Sequence, residues 1–93
     1  MHLGASKDRQ ARRKMMYRYL IVVEKAGRNY SAYAPDLPGC VATGDTREEA
    51  EANMRDSIEM HLSGLIEDHA SIPEPQASAD YIDVKSPPDA IGN

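Results

Sequence analysis

The chain of 93 residues contains one cysteine and no long apolar run. One cysteine cannot form an internal disulfide, and Cys40 has no CxxC partner, which fits a reducing compartment. The longest apolar run, residues 19–23, is far shorter than the roughly 20 residues that cross a bilayer. Residues 2–14 are mostly polar and basic, unlike the apolar segment of a secretory signal. We therefore expect one small cytoplasmic domain without a membrane span.

Side-chain sets that perform catalysis are also scarce. His61 and His69 match no zinc-binding spacing, and no glycine-rich loop is present to hold a phosphate. Ser57 and Ser63 have no evident base beside them in the predicted arrangement, so nucleophilic catalysis has no visible residue set. We expect no catalytic residue, no metal ligand and no cofactor, and a protein that is not an enzyme.

The net charge of −4 hides an asymmetry along the chain. Residues 1–18 hold six Lys or Arg against one Asp, whereas residues 19–93 hold five Lys or Arg against fourteen Asp or Glu. The folded part therefore has a net charge of −9 by this count. Such a surface repels nucleic acid phosphates and attracts a basic protein during diffusive encounter. We expect a small basic partner.

The first 15 residues have no hydrophobic period, so we predict a disordered basic arm. A nucleic-acid-binding tail is an alternative, since residues 9–14 are strongly basic, but the arm lacks aromatic residues for stacking. A second alternative is an extension that precedes a natural start at Met15 or Met16.

Hydrophobic periodicity predicts three short strands joined by short loops, followed by a helix. Residues 17–24 form a strand that is apolar on both faces, and a hairpin over residues 25–29 leads into a second strand at residues 30–34. Pro35 ends that strand, and a compact turn at residues 36–39 precedes a third strand at residues 40–43. An antiparallel meander is the simplest arrangement.

The helix is predicted over residues 46–68. Thr46 and Glu49 have the spacing of a capping box at its start. An apolar stripe at helical spacing is expected to cover the sheet and contains Ala50, Met54, Ile58, His61, Leu62 and Leu65. The opposite face is acidic, and Gly64 is a point where the helix can bend.

A last strand is predicted at residues 80–84, parallel to the first strand and beside it, which makes an α+β sheet of order 3-2-1-4 under one long helix. Residues 85–93 read as a flexible tail. One helix leaves the other sheet face open, so we expect a homodimer or higher homo-oligomer whose interface includes Leu20, Val22 and Tyr33.

Several motifs resemble the HicB family of antitoxins from prokaryotic toxin–antitoxin pairs. They are PDLPGC at residues 35–40, TGDT at residues 43–46, EEA at residues 48–50 and IPEP at residues 72–75. The resemblance covers a HicB-like domain at residues 16–84. It implies a partial ribonuclease H-like fold and an antitoxin that binds and silences a small basic HicA-like, mRNA-cleaving toxin.

The chain departs from the family pattern at its end. Many HicB-like antitoxins continue into a ribbon-helix-helix or helix-turn-helix that binds DNA, whereas nine residues follow Val84 here. We therefore expect no DNA binding through a C-terminal domain.

Three functions remain open from the sequence. The leading one is a non-catalytic antitoxin that blocks its toxin by occlusion, with partner-binding residues Asp36, Leu37, Pro38, Gly39, Asp45, Glu48, Asp56 and Glu59. A degenerate or active metal-dependent nuclease is the second, but only Glu24 and Asp83 can approach each other, with Glu59 a poor third carboxylate. The third is a nucleic-acid-binding module that uses the basic arm.

Overall fold

A computed structural model describes residues 16–88, so the predicted arm lies outside the described residues. The elements are β1 (Val22–Ala26), β2 (Asn29–Tyr33), β3 (Val41–Gly44) and one long helix, α1 (Arg47–Glu67). The sheet has the order β1-β2-β3, and both strand pairs are antiparallel. The predicted α+β class, the meander and the covering helix are thereby confirmed.

The hairpin between β1 and β2 is tighter than predicted. Ala26 pairs with Asn29, so the loop is only Gly27 and Arg28, and Gly27 takes the positive φ of 65° that such a loop requires. Because β2 ends at Tyr33, its partner Val22 is the first paired residue of β1. Residues 17–21 therefore belong to no strand, although the sequence predicts a strand from residue 17.

The start of α1 follows the predicted capping pattern with one shift. Thr46 is the N-cap, and its Oγ1 accepts a hydrogen bond from the backbone N–H of Glu49 at 3.0 Å. The Glu49 carboxylate reaches back to the N–H of Asp45 rather than to that of Thr46. The side chain of Asn53 donates to the carbonyl of Thr43 at 2.8 Å, which ties the first half of the helix to β3.

The helix runs through Gly64 without interruption and ends with a Schellman arrangement. Ala70 N–H bonds to the carbonyl of Leu65, and His69 N–H bonds to the carbonyl of Ile66. His69 occupies the left-handed position with a φ of 57°, where glycine is the usual residue. The sequence therefore contains a helix stop that lacks its usual glycine signal.

The core lies between the sheet and the first half of α1. Its buried members are Ala32, Ala34, Leu37, Cys40, Ala50 and Met54. Gly44 allows this close packing, because a Cβ at that position would lie 2.4 Å from the backbone nitrogen of Ala50. The last residue of β3 and the first turn of α1 can touch only if this position is glycine.

The predicted fourth strand is wrong for this structure, and with it the order 3-2-1-4. Within residues 16–88 no strand pairs with the outer edge of β1, and residues 80–84 lie outside the sheet. The physical reason lies in the connector: the Tyr19 hydroxyl donates to the carbonyl of Pro73, and the N–H groups of Gln76 and Ala77 bond to Asp36. These bonds hold the connector first beside Tyr19, near the start of β1, and then at Asp36 in the loop after β2, before residues 80–84 begin. A ribonuclease H-like outline is not seen in these three strands and one helix.

Candidate partner-binding surface

The loop between β2 and β3 consists of two successive turns. Leu37 N–H bonds to the carbonyl of Ala34 at 3.0 Å, and Cys40 N–H bonds to the carbonyl of Leu37 at 3.1 Å. In the second turn Pro38 precedes Gly39, whose φ is 92°, the combination typical of a type II turn. Pro38 and Gly39 form the exposed tip of this loop.

Two residues of this loop point inward. Leu37 is only 1% exposed and is one of the largest buried side chains, so its effect on a partner would come through the shape of the loop. Cys40 is also buried, and burial raises the pKa of its thiol, an effect that a hydrogen bond with Ser57 partly opposes.

Asp36 holds the connector that follows the helix. One carboxylate oxygen accepts hydrogen bonds from the N–H groups of Gln76 at 2.8 Å and Ala77 at 2.9 Å. The bond from Ala77, followed by that from Gln76, lowers the pKa of the Asp36 carboxyl from its ordinary value. No local pattern in the sequence indicates this role, because the partners lie some forty residues away.

Three of the candidate residues form an exposed acidic stripe on α1. Glu48, Asp56 and Glu59 lie within about 80° of one another at about 100° per residue, on the side opposite the buried Met54. Among residues 16–88, no hydrogen bond or ion pair engages these three carboxylates. They are therefore available to cationic groups of a partner.

The candidate residues fall into two groups. Pro38 and Gly39 lie near the second half of α1, where Gly39, Met60 and Gly64 share a shallow depression. Asp45 lies at the other end of β3, immediately before the helix N-cap, and is exposed. The acidic stripe runs along α1 to one side of this depression, and its member Asp56 lies about 40° around the helix from Met60.

Two of the residues predicted at an oligomer interface, Val22 and Tyr33, lie on the sheet face opposite the helix. Val22 pairs with Tyr33, and Tyr33 pairs with Val41, which forms one apolar row across all three strands. Tyr33 and Val41 are exposed, and Leu20 is half-buried. That a second copy covers this row stays a prediction.

A groove that sequence reasoning missed separates residues 16–21 from α1. It has a volume of about 470 Å³. Its apolar lining includes Tyr19, Ile21, Met54, Ile58 and Leu62. The sequence predicted that the helix residues among them, Met54, Ile58 and Leu62, cover the sheet, but only Met54 is fully buried.

The carboxylates of the nuclease alternative are not brought together. Glu24 lies in β1, whereas Asp83 lies in the segment outside the sheet, so the strand pairing that was expected to bring these two residues together is not formed. In the described part of the chain, no group of three or more His, Cys, Asp or Glu side chains is arranged to hold a metal ion. Over the same residues, no helix is long and apolar enough to cross a membrane.

The fold and this surface describe a small α+β domain with an acidic helix face, and comparison with known proteins assigns it to a class. The family model for HicB-like antitoxins of bacterial toxin–antitoxin systems matches residues 19–91. The chain belongs to this family.

Curated relatives agree with this assignment. The chain is 38% identical over 64 residues to an uncharacterized 14.9 kDa protein of Haemophilus phage HP1, covering 69% of this chain and 48% of the phage protein. It is 39% identical over 62 residues to a UPF0150 protein of Synechocystis, covering 66% of this chain and 78% of that protein. A UPF0150 protein of Thermoplasma acidophilum is 32% identical over 63 residues, covering 68% of this chain and 90% of that protein. The chain thus spans about half the length of the phage relative.

Proposed function

We propose that this protein is a non-catalytic antitoxin that acts in the cytoplasm by binding and neutralising a small basic HicA-like toxin. The observation that carries the proposal is the family match over residues 19–91. The net charge of −9 over residues 19–93 supports a basic partner, because charge complementarity accelerates association and disfavours other acidic proteins.

We propose that the toxin binds across the acidic stripe of α1 and the tip of the β2–β3 loop. Glu48, Asp56 and Glu59 supply carboxylates for lysine or arginine side chains. Pro38 and Gly39 supply an exposed, rigid turn, and the neighbouring Met60 is 75% exposed and provides an apolar contact. A surface with a central apolar anchor among charged groups is typical of a protein–protein interface.

The proposed mechanism is occlusion. A toxin that cleaves mRNA needs a basic surface to hold phosphates. An acidic helix face that occupies this surface excludes the RNA by competition for the same cationic side chains. The antitoxin needs no catalytic residue for this, and its effect depends on affinity and on the amount of free antitoxin.

Co-purification from native cells, followed by mass spectrometry, identifies the candidate toxin. The recovered basic protein is then expressed alone and together with this chain, and growth and mRNA cleavage are measured. We expect growth arrest and cleavage that disappear on co-expression. Failure to recover a small basic protein, or a recovered protein whose toxicity persists in the presence of this chain, would contradict the proposal.

The surface is tested by matched charge reversals. Asp56→Lys places a cation in the acidic stripe, whereas Glu24→Lys makes the same charge change at an exposed position on β1. We expect Asp56→Lys to weaken toxin binding about tenfold or more, and Glu24→Lys to change it less than about threefold. Calorimetric titration at low and high salt checks both values. Equal effects of the two substitutions would show that net charge, rather than this surface, determines affinity.

A further inference from the structure

Residues 80–84 have the composition of a strand but no strand to pair with in the described part of the chain. Tyr81 is fully exposed, and Ile82 and Val84 are 82% and 81% exposed. Aromatic and β-branched residues are favoured in strands because they pack on a half-buried pleated surface. Three such side chains next to one another in water form an apolar surface that favours a partner.

The outer edge of β1 is an unpaired sheet edge to which such a strand can add. Within residues 16–88 no strand pairs with this edge, which leaves a row of backbone donors and acceptors open to another strand. Glu24 and Lys25 are exposed in the second half of β1, whereas Val22 and Val23 are half-buried in its first half. Strand addition is therefore most favourable at the Val22–Val23 end, next to the groove beside α1.

The side chains of residues 80–84 fit this position. In a strand, Ile82 and Val84 point to the same face, and Tyr81 and Asp83 point to the opposite one. If Ile82 and Val84 face the helix, they enter the groove lined by Ile58 and Leu62. Arg18 and Arg55 line this groove together with Glu51 and Glu59, and the two arginines can pair with Asp80, which shares the face of Ile82 and Val84.

Hydrogen bonds hold the connector in a path that leaves residues 80–84 outside the sheet of their own chain. Pro73 lies at Tyr19, near the start of β1, whereas Gln76 and Ala77 are bonded to Asp36 in the loop beyond β2. With these two hydrogen bonds in place, residues 80–84 do not pair with β1 of their own chain. Addition to a second molecule leaves them intact.

We propose that residues 80–84 of one copy add as a fourth strand to the β1 edge of a second copy, and reciprocally, in a strand-exchanged homodimer. Each chain provides one unpaired strand and one unpaired sheet edge. In a two-fold symmetric dimer, the strand of each chain pairs with the β1 edge of the other. The occupant of the groove is therefore a second copy of this chain. The proposal does not depend on the toxin.

The first test is the mass of the full chain in solution, measured by light scattering during size-exclusion chromatography. We expect twice the 10.3 kDa of one chain. The double substitution Ile82→Asp and Val84→Asp should raise the dimer dissociation constant by about 100-fold or more, since two apolar anchors are lost from each half of the interface. Both side chains are exposed in the single chain, so circular dichroism should show an intact fold.

Tyr33→Asp is the control, because it places a charge on the apolar row of the opposite sheet face. We expect this variant to remain dimeric, which would contradict the competing prediction from the sequence that a second copy covers the apolar row. A monomeric wild type, or a dimer that resists the double substitution, would overturn the proposal. Dissociation by Tyr33→Asp alone would assign the interface to the apolar row and would also overturn it.

The second test distinguishes exchange between chains from docking within one chain. Isotopically labelled and unlabelled chains are mixed, and filtered nuclear Overhauser effects are recorded. We expect contacts from the Ile82 methyl groups of labelled chains to the Ile58 and Leu62 methyl groups of unlabelled chains. If these contacts occur only within a chain, the fourth strand docks in the same molecule and the proposal is wrong.

Discussion

The two sides of this small domain differ in how completely they are packed. On the closed side, β2, β3, the intervening loop and the first half of α1 bury six side chains, including Leu37 and Met54. On the open side, β1, residues 16–21 and the second half of α1 leave a groove in which Ile58 and Leu62 are half-buried. One helix and three strands can complete only one of these sides, so the closed side supplies the stability and the open side is free to bind.

The largest predicted contrast compares two methionines of α1. Met54 is fully buried on the closed side, whereas Met60 is 75% exposed. Met54→Ala should lower the free energy of unfolding by about 3 kcal/mol, because the change leaves a cavity. Met60→Ala should change it by less than about 0.5 kcal/mol. Urea unfolding followed by circular dichroism measures both, and similar losses would contradict the difference in burial between the two side chains.

The second contrast compares two glycines. An added methyl group at Gly44 meets the backbone of Glu49 and Ala50, whereas the space beside Gly64 is open. Gly44→Ala should lower the free energy of unfolding by about 2 kcal/mol or more through overpacking. Gly64→Ala should raise it by up to about 1 kcal/mol through helix propensity. If Gly44→Ala proved neutral in thermal and urea unfolding, the close approach of β3 and α1 would be refuted.

The third prediction concerns Asp36, whose carboxylate holds the connector after α1 against the loop between β2 and β3. Its pKa is lowered in the folded protein by the N–H groups of Ala77 and Gln76, so the ionised carboxylate stabilises the fold. This contribution is present above the ordinary pKa of an aspartate and is lost as the pH falls through the lower folded pKa. The wild type should therefore exceed Asp36→Asn in stability at neutral pH, and the difference should shrink in acid.

Urea unfolding of both proteins between neutral pH and about pH 2 measures this difference. A difference that stays constant with pH would mean that the charge of Asp36 does not contribute. Amide hydrogen exchange provides a second readout, since the N–H groups of Gln76 and Ala77 should lose protection in the variant.

The smallest predicted effect is at the end of α1. His69→Gly should raise the free energy of unfolding by about 0.5 kcal/mol, because glycine adopts the positive φ of 57° without a steric cost from Cβ. His61→Gly, the same change inside the helix, should destabilise the protein. Thermal unfolding of both variants checks the opposite signs, and a loss of stability in His69→Gly would contradict the Schellman arrangement.

Local patterns predicted most of the closed side. Prolines, glycines and the Thr46–Glu49 spacing located the loop and the helix start to within one or two residues, because turn and cap geometry depends on neighbours in the chain. The buried stripe was predicted correctly at Ala50 and Met54. Its continuation at Ile58 and Leu62 is only half-buried, since burial there depends on what lies across the groove.

The candidate binding surface was predicted in part. The exposed acids of α1 follow from helical periodicity, which places Glu48, Asp56 and Glu59 opposite Met54. The hydrogen bonds of Asp36 and the burial of Leu37 could not be predicted from local patterns, because each depends on segments that are distant in sequence.

The sequence by itself determined the meander, the capped helix, the acidic character of the folded part and the family, because each depends on local spacing or on composition. The tertiary structure decided where the chain goes after the helix. Residues 80–84 have the same strand propensity in any arrangement, but two hydrogen bonds to Asp36 and one from Tyr19 set the path that leads to them. Propensity acts within a segment, whereas the choice of a pairing edge depends on contacts between segments far apart in the chain.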